Sequence, residues 1–212
     1  MTTPQGGDSK APEPVDMENL QPEDELIAEA RKLESPLPPD MHPKMAATIT
    51  GIDAFSAFCG KIISWITPII FMVMVWEIFL RYAFTAPTLW AYDVSRMLYG
   101  ALFMAGSGYA LLRGVHIRAD FLYRTWSPRN QGRVDLALYI LLYFPGMLLF
   151  LWTASEFFIE AAQRGERLDD TAWRPYVAPV RFALWLGVLL LIIQGISETL
   201  KSYYAATRGK WP

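Results

Sequence analysis

Five residues around one short turn carry the strongest hint of chemistry in this chain. Glu77 and Arg81 precede Ala86-Pro87-Thr88, and Trp90, Asp93 and Arg96 follow it. They interrupt two long apolar runs between Ile62 and Leu112. A charge at the centre of a bilayer costs on the order of 3 kcal/mol, less near the interface, so such residues mark a specific arrangement. Glu77 and Arg81 are four apart, and Asp93 and Arg96 three apart, so each pair shares a helix face. The pairs can neutralise themselves locally and cross-pair through the turn. That chemistry suits a clamp fixing a helical hairpin, or a contact that docks a partner helix.

Reactive chemistry is missing elsewhere. The two histidines, His42 in an acidic tail and His116 in a basic loop, exclude a haem held by paired histidines inside the apolar segments. Cys59 is the only cysteine, so it forms no intramolecular disulfide and reads as a small apolar residue at the start of a span. Neither a metal-ligand spacing, nor a nucleophile with its base, nor a glycine-rich phosphate loop is present in the sequence. The expectation is a protein that is not an enzyme and has no metal, cofactor or nucleic-acid partner. His116 reads as a hydrogen-bonded structural residue or a pH-sensitive one, with Asp120 as its neutraliser or a helix N-cap.

The elements that position these residues follow from composition. Hydrophobic residues make up 53% of the 212, which points to an all-α polytopic membrane protein. The net charge of -2 hides a split: residues 1–45 hold ten acids against four bases, the remainder eleven against fifteen. Residues 1–45 also carry eight of the fifteen prolines and are expected to be a disordered acidic cytoplasmic tail. Within it Leu26, Ile27, Ala30 and Leu33 recur at helical spacing, as in a short amphipathic helix. The basic-then-apolar pattern of a cleaved signal is absent near Met1, so none is expected.

A membrane domain over residues 46–204 is expected to hold four spans, at about 61–84, 89–112, 134–156 and 179–200, followed by a cytoplasmic tail at 205–212. Pro68 should kink the first span, and Pro145-Gly146 should bend the third. The pairs Ala101/Ala105 and Gly106/Ala110 in the second let another helix approach closely, from this chain or from another subunit. Between Arg113 and Arg133 lie five arginines and one acid, Asp120, so this loop is placed in the cytoplasm. Phe121, Leu122, Tyr123 and Trp126 beside Arg118 and Arg124 suit a short amphipathic interfacial helix between the second and third spans. Ser127-Pro128 should open the next helix as N-cap and first residue. With four spans, both termini are cytoplasmic. The tryptophans fall mostly near span ends, as in an aromatic belt, with Trp173 the candidate for a partner contact.

Arg81-Tyr82-Ala83-Phe84, the turn, Trp90-Ala91-Tyr92-Asp93 with Arg96, and then Gly114-Val115-His116-Ile117-Arg118-Ala119-Asp120 occur in an order and spacing that resembles a known family. It is the small membrane subunit, DctQ type, of tripartite ATP-independent periplasmic (TRAP) transporters. Asp93 stands where many members have glutamate. The resemblance implies a non-catalytic scaffold subunit in the bacterial inner membrane. Its partners would be a large membrane subunit that imports an organic acid with sodium, a periplasmic substrate-binding protein, and membrane lipids. It implies no ligand residue in this chain. The acidic N-terminal extension lies outside the family pattern. A different class, a membrane anchor of a respiratory or signalling complex, is the alternative.

Overall fold

The computed structural model describes residues 37–114, 126–169 and 171–212. They form helices joined by turns, and among the described residues the only strand-like feature is an isolated antiparallel bridge between Arg167 and Tyr176.

Helix α1 spans Pro43–Ser64 and α2 spans Ile66–Ala83. Pro43 sits in the first turn of α1, where its missing N–H is not needed, and His42 Nδ1 accepts from the Lys44 amide at 3.3 Å as an N-cap. The interruption expected from Pro68 falls at Trp65. A proline can donate nothing to the carbonyl four residues back, here Ser64, and its ring crowds that oxygen. The ladder therefore lapses just after Ser64, and the Trp65 amide reaches Ile62 O at 3.2 Å instead.

Helix α3 spans Ala91–Leu112, and Gly114, in the left-handed region at φ 67°, turns the chain away from it. Helix α4 spans Pro128–Leu138 with Ser127 and Pro128 in the expected cap and first positions, although the Ser127 side chain makes no capping bond. Residues Tyr139–Tyr143 form a π-helical turn that leads into α5, Phe144–Arg164. Pro145 accounts for it: the carbonyl of Leu141 must escape the proline ring, so the ladder widens and the Phe144 amide bonds Tyr139 O. The expected bend at Pro145-Gly146 thus takes the form of a wider turn just upstream. Helix α6 spans Ala178–Arg208.

Among the described residues, three helical stretches are long and apolar enough to cross a membrane: Pro43–Ala83, Pro128–Arg164 and Ala178–Arg208, of 41, 37 and 31 residues. Helix α3, at 22 residues, has the length of a span, about 33 Å. Asp93, Arg96 and the run Gly106-Ser107-Gly108 make it too polar to join them. Three of the four expected spans therefore fall in stretches with the length and composition to cross, whereas α3 has the length of the other but not its composition. The expected interfacial helix, the tail helix near Leu26, and His116, Arg118 and Asp120 lie outside the described residues.

Helix α6 is the spine of the bundle. Helix α3 runs parallel to it at close range, because Gly187 faces the Met104 backbone and a Cβ on Gly108 would come within 3.1 Å of the Leu190 Cβ. Ala105 and Gly108 are buried in this contact, so small residues of α3 serve packing within the chain, while Gly106 faces open space. Helices α1, α4 and α5 run antiparallel to α6. Their contacts follow one another along it: Ile49 with Tyr204 and Asp53 with Ser197 from α1, then Gly132 against Ser202–Ala206 and Ser155 with Trp185 from α4 and α5. At the end where α6 finishes, Met41, Ile49 and Tyr204 form a buried apolar cluster with Leu37, Met45, Ala46 and Leu200 packed on it.

Candidate functional site

The hairpin residues form two local groups, one that knots the end of α2 to the turn around Glu77 and one within the first turn of α3 around Asp93. Glu77 projects from the last two turns of α2 and is 7% exposed. Its Oε1 accepts from Arg81 Nη2 at 2.6 Å and Nε at 3.2 Å. Its Oε2 accepts from the Thr88 amide at 3.0 Å and also from the Thr88 hydroxyl. Thr88 Oγ1 in turn accepts from the Ala91 amide at 3.4 Å, at the start of α3. One carboxylate thereby ties the end of α2 to the turn and, through the Thr88 hydroxyl, to the first amide of α3. Thr85 takes a left-handed backbone conformation, φ 53°, within this turn.

Asp93 occupies the first turn of α3, where a negative charge opposes the positive end of the helix dipole. It is fully buried, and its Oδ1 accepts from Arg96 Nη2 at 3.3 Å. The Arg96 guanidinium also lies over the Tyr92 ring at 5.6 Å. Trp90 holds the N-cap position by its backbone, its carbonyl accepting from the Val94 amide at 3.0 Å. Both local pairs expected from spacing are formed. The link across the turn is made by Thr88, which the sequence reading did not single out; a hydroxyl just before a helix start was its only local signal.

The connection between α5 and α6 lies at the same end of the bundle as the knot, because α3 and α6 both begin there. It folds back on itself: Leu168 N donates to Pro175 O and Val177 N to Glu166 O, both at 3.0 Å. Arg167 stacks on the Tyr176 ring at 4.1 Å and donates to its hydroxyl at 2.7 Å. Arg174 holds a left-handed φ of 48° and pairs with Asp169. Arg181 pairs with Glu166 at 2.7 Å and lies 3.5 Å over the Phe157 ring, closing the base of the loop. Trp173 stands on this braced loop with 43% of its surface exposed.

A third polar group, toward the other end of the bundle, was not anticipated. Lys201 Nζ on α6 lies between Asp53 Oδ2 at 2.9 Å and Glu198 Oε1 at 2.8 Å. Asp53 Oδ1 accepts from Ser197 Oγ at 2.6 Å and Gln194 Nε2 at 3.0 Å, which fastens α1 to α6. The signal was present in α6, where Gln194, Ser197, Glu198 and Lys201 recur three and four apart on one face of an otherwise apolar helix. Among the described residues no group of three His, Cys, Asp or Glu side chains could hold a metal ion. Cys59 is a free thiol, partly buried. Apart from the Asp93–Arg96 pair, which lies within α3, these polar groups tie one helix or turn to another.

The three helical stretches long and apolar enough to cross a membrane give the chain the character of a helical membrane protein. A family model described as "Tripartite ATP-independent periplasmic transporters, DctQ component" matches residues 70–203. The chain therefore belongs to the DctQ family of TRAP transporter components, as its hairpin and loop motifs suggested. No curated protein and no solved structure matches it. Members of this family work within a three-part transporter beside a large membrane subunit and a binding protein.

Proposed function

We propose that this chain is the non-catalytic scaffold of a sodium-coupled, binding-protein-dependent importer of an organic acid. It would sit in the bacterial inner membrane as four spans with both termini in the cytoplasm, α3 crossing between α2 and the basic loop. In this reading the chain braces the large membrane subunit, and the Trp173 loop helps seat the periplasmic binding protein. The observation that carries the proposal is the fully engaged Glu77 carboxylate. Glu77 has both oxygens engaged by Arg81 and Thr88, so it stiffens a hairpin and has no vacant oxygen for a substrate. The exposed faces of α2 and α5, with Phe71, Met72, Trp76, Leu148, Leu149 and Trp152, suit lipid or a partner's helices. Glu77, Arg81, Trp90, Asp93 and Arg96 hold the hairpin in this reading, and Trp173 belongs to the docking face.

Removing this subunit from cells that keep the large subunit and the binding protein tests the proposal. Uptake of the binding protein's ligand should fall to background and return when the chain is supplied again. Undiminished uptake without it would refute an obligate scaffold.

A further inference from the structure

At the end of the bundle where α4 begins and α6 finishes, four cationic side chains gather at the surface. Arg129 Nη2 donates to Thr207 O at 3.2 Å, and the Arg129 Cβ lies 3.9 Å from where a Cβ on Gly209 would stand. Arg129 therefore sits against the last turn of α6, beside Arg208 and Lys210. Arg133 follows it one turn along α4, and all four are exposed. The close approach of Gly132 to the Ser202–Ala206 backbone fixes the two helices against each other, so the cluster has a rigid base. Two acids of the described chain lie in this region, Asp40 and Asp135. Asp40 accepts from the Tyr204 hydroxyl at 2.7 Å, and both Arg208 and Lys210 act on it electrostatically.

Two tryptophans lie at this end of the bundle, both bonded to Gln131. Trp126 precedes α4 and is 43% exposed, and Trp211 follows α6, its indole donating to Gln131 Oε1 at 3.0 Å. Indoles at the ends of apolar helices settle at the depth of lipid headgroups. The Ser127 side chain makes no capping bond at the same place, and the start of α4 adds the positive end of a helix dipole. Guanidinium groups offer paired donors that match phosphate oxygens, and the four cations outnumber the two acids. An apolar partner or a zwitterionic headgroup would leave that excess charge unanswered.

We propose that Arg129, Arg133, Arg208 and Lys210 form a binding site for the phosphate headgroup of an anionic phospholipid, at the end of the bundle that carries Trp126 and Trp211. The site does not depend on the transport reading: it needs only that the bundle span a membrane. Each basic group near an anionic surface contributes about fivefold in affinity, so removing three should weaken binding on the order of a hundredfold.

The test uses the full-length chain in detergent, with unfolding followed by tryptophan fluorescence. Cardiolipin or phosphatidylglycerol should raise the unfolding temperature, and phosphatidylcholine and inorganic phosphate should not. R129Q/R208Q/K210Q should lose most of the response to the anionic lipids. Equal stabilisation by phosphatidylcholine or by inorganic phosphate overturns the proposal, as does a wild-type response in the triple variant. Should that variant fail to fold, wild-type protein decides. Its anionic-lipid response should collapse between about 0.1 M and about 1 M salt, as the screening length falls from about 10 Å to about 3 Å, and a salt-insensitive response overturns the site.

Discussion

Thr88 shows how much one hydroxyl can join. It donates to Glu77 by side chain and by amide, and it receives the first amide of α3. Thr88→Val keeps the shape and removes the hydroxyl. It should lower the stability of the full-length chain by about 1 kcal/mol, read as a lower midpoint in denaturant or heat. The Glu77–Arg81 and Asp93–Arg96 pairs were legible in the sequence because i,i+4 and i,i+3 spacing fixes proximity once a helix is granted. Thr88 was not, because its position depends on the path of the turn. Asp40 is a second case of a tie invisible to local pattern. The Tyr204 hydroxyl bond, chiefly, holds its carboxyl below the usual value of 3.8. A lowered folded-state pKa stabilises above 3.8 and loses that contribution as pH falls through the lower folded value. The stability difference between wild type and Asp40→Asn should therefore stay constant from neutral pH to mildly acid conditions. It should narrow only below the ordinary carboxyl range, as unfolding curves across pH would show.

At the scale of the helices, glycine marks where backbones meet. A Cβ on Gly132 would fall 2.5 Å from Ala206 N and 2.8 Å from Ser202 O, atoms that cannot move aside without shifting α6. Gly132→Leu should cost at least about 3 kcal/mol, and a lower unfolding temperature with loss of Trp211 burial would show that α4 has left α6. Gly146, with nothing within 4 Å, should tolerate alanine and serves as the control. Both prolines were read as bends, and both act one turn toward the N-terminus, at the carbonyl they cannot serve. At Pro68 the ladder breaks, whereas at Pro145 it widens. The second outcome aims Tyr143 across the face of Gly195, where its hydroxyl donates to Leu191 O at 2.8 Å. Pattern alone could not choose between the outcomes, because the choice depends on whether a neighbouring helix offers a notch.

For the molecule as a whole, the Asp53–Lys201 contact closes the fold, joining the first described helix to the last. Lys201→Met should destabilise the chain on the order of 3 kcal/mol, because Asp53 and Glu198 would then face each other without an ammonium between them. Adding Asp53→Asn should recover part of the loss, and a double-mutant cycle in unfolding measurements would show the coupling. No cue in the sequence links positions so far apart. The polar stripe of α6 announces that a partner exists but not which helix supplies it. Helix class, the hairpin and the three long apolar stretches were legible, because apolar length and charge spacing dictate them locally.

The modest apolarity of Ala91–Leu112 bears on how the chain is made. On the four-span reading proposed above, a segment that oil would hold only loosely enters a bilayer best in company, and the Glu77–Thr88 tether supplies that company from the strongly apolar rod emerging just before it. The first two rods should therefore leave the insertion machinery together as one unit. A chain truncated after Leu112 should still integrate, while the same segment expressed without its predecessor should slip back into the aqueous phase.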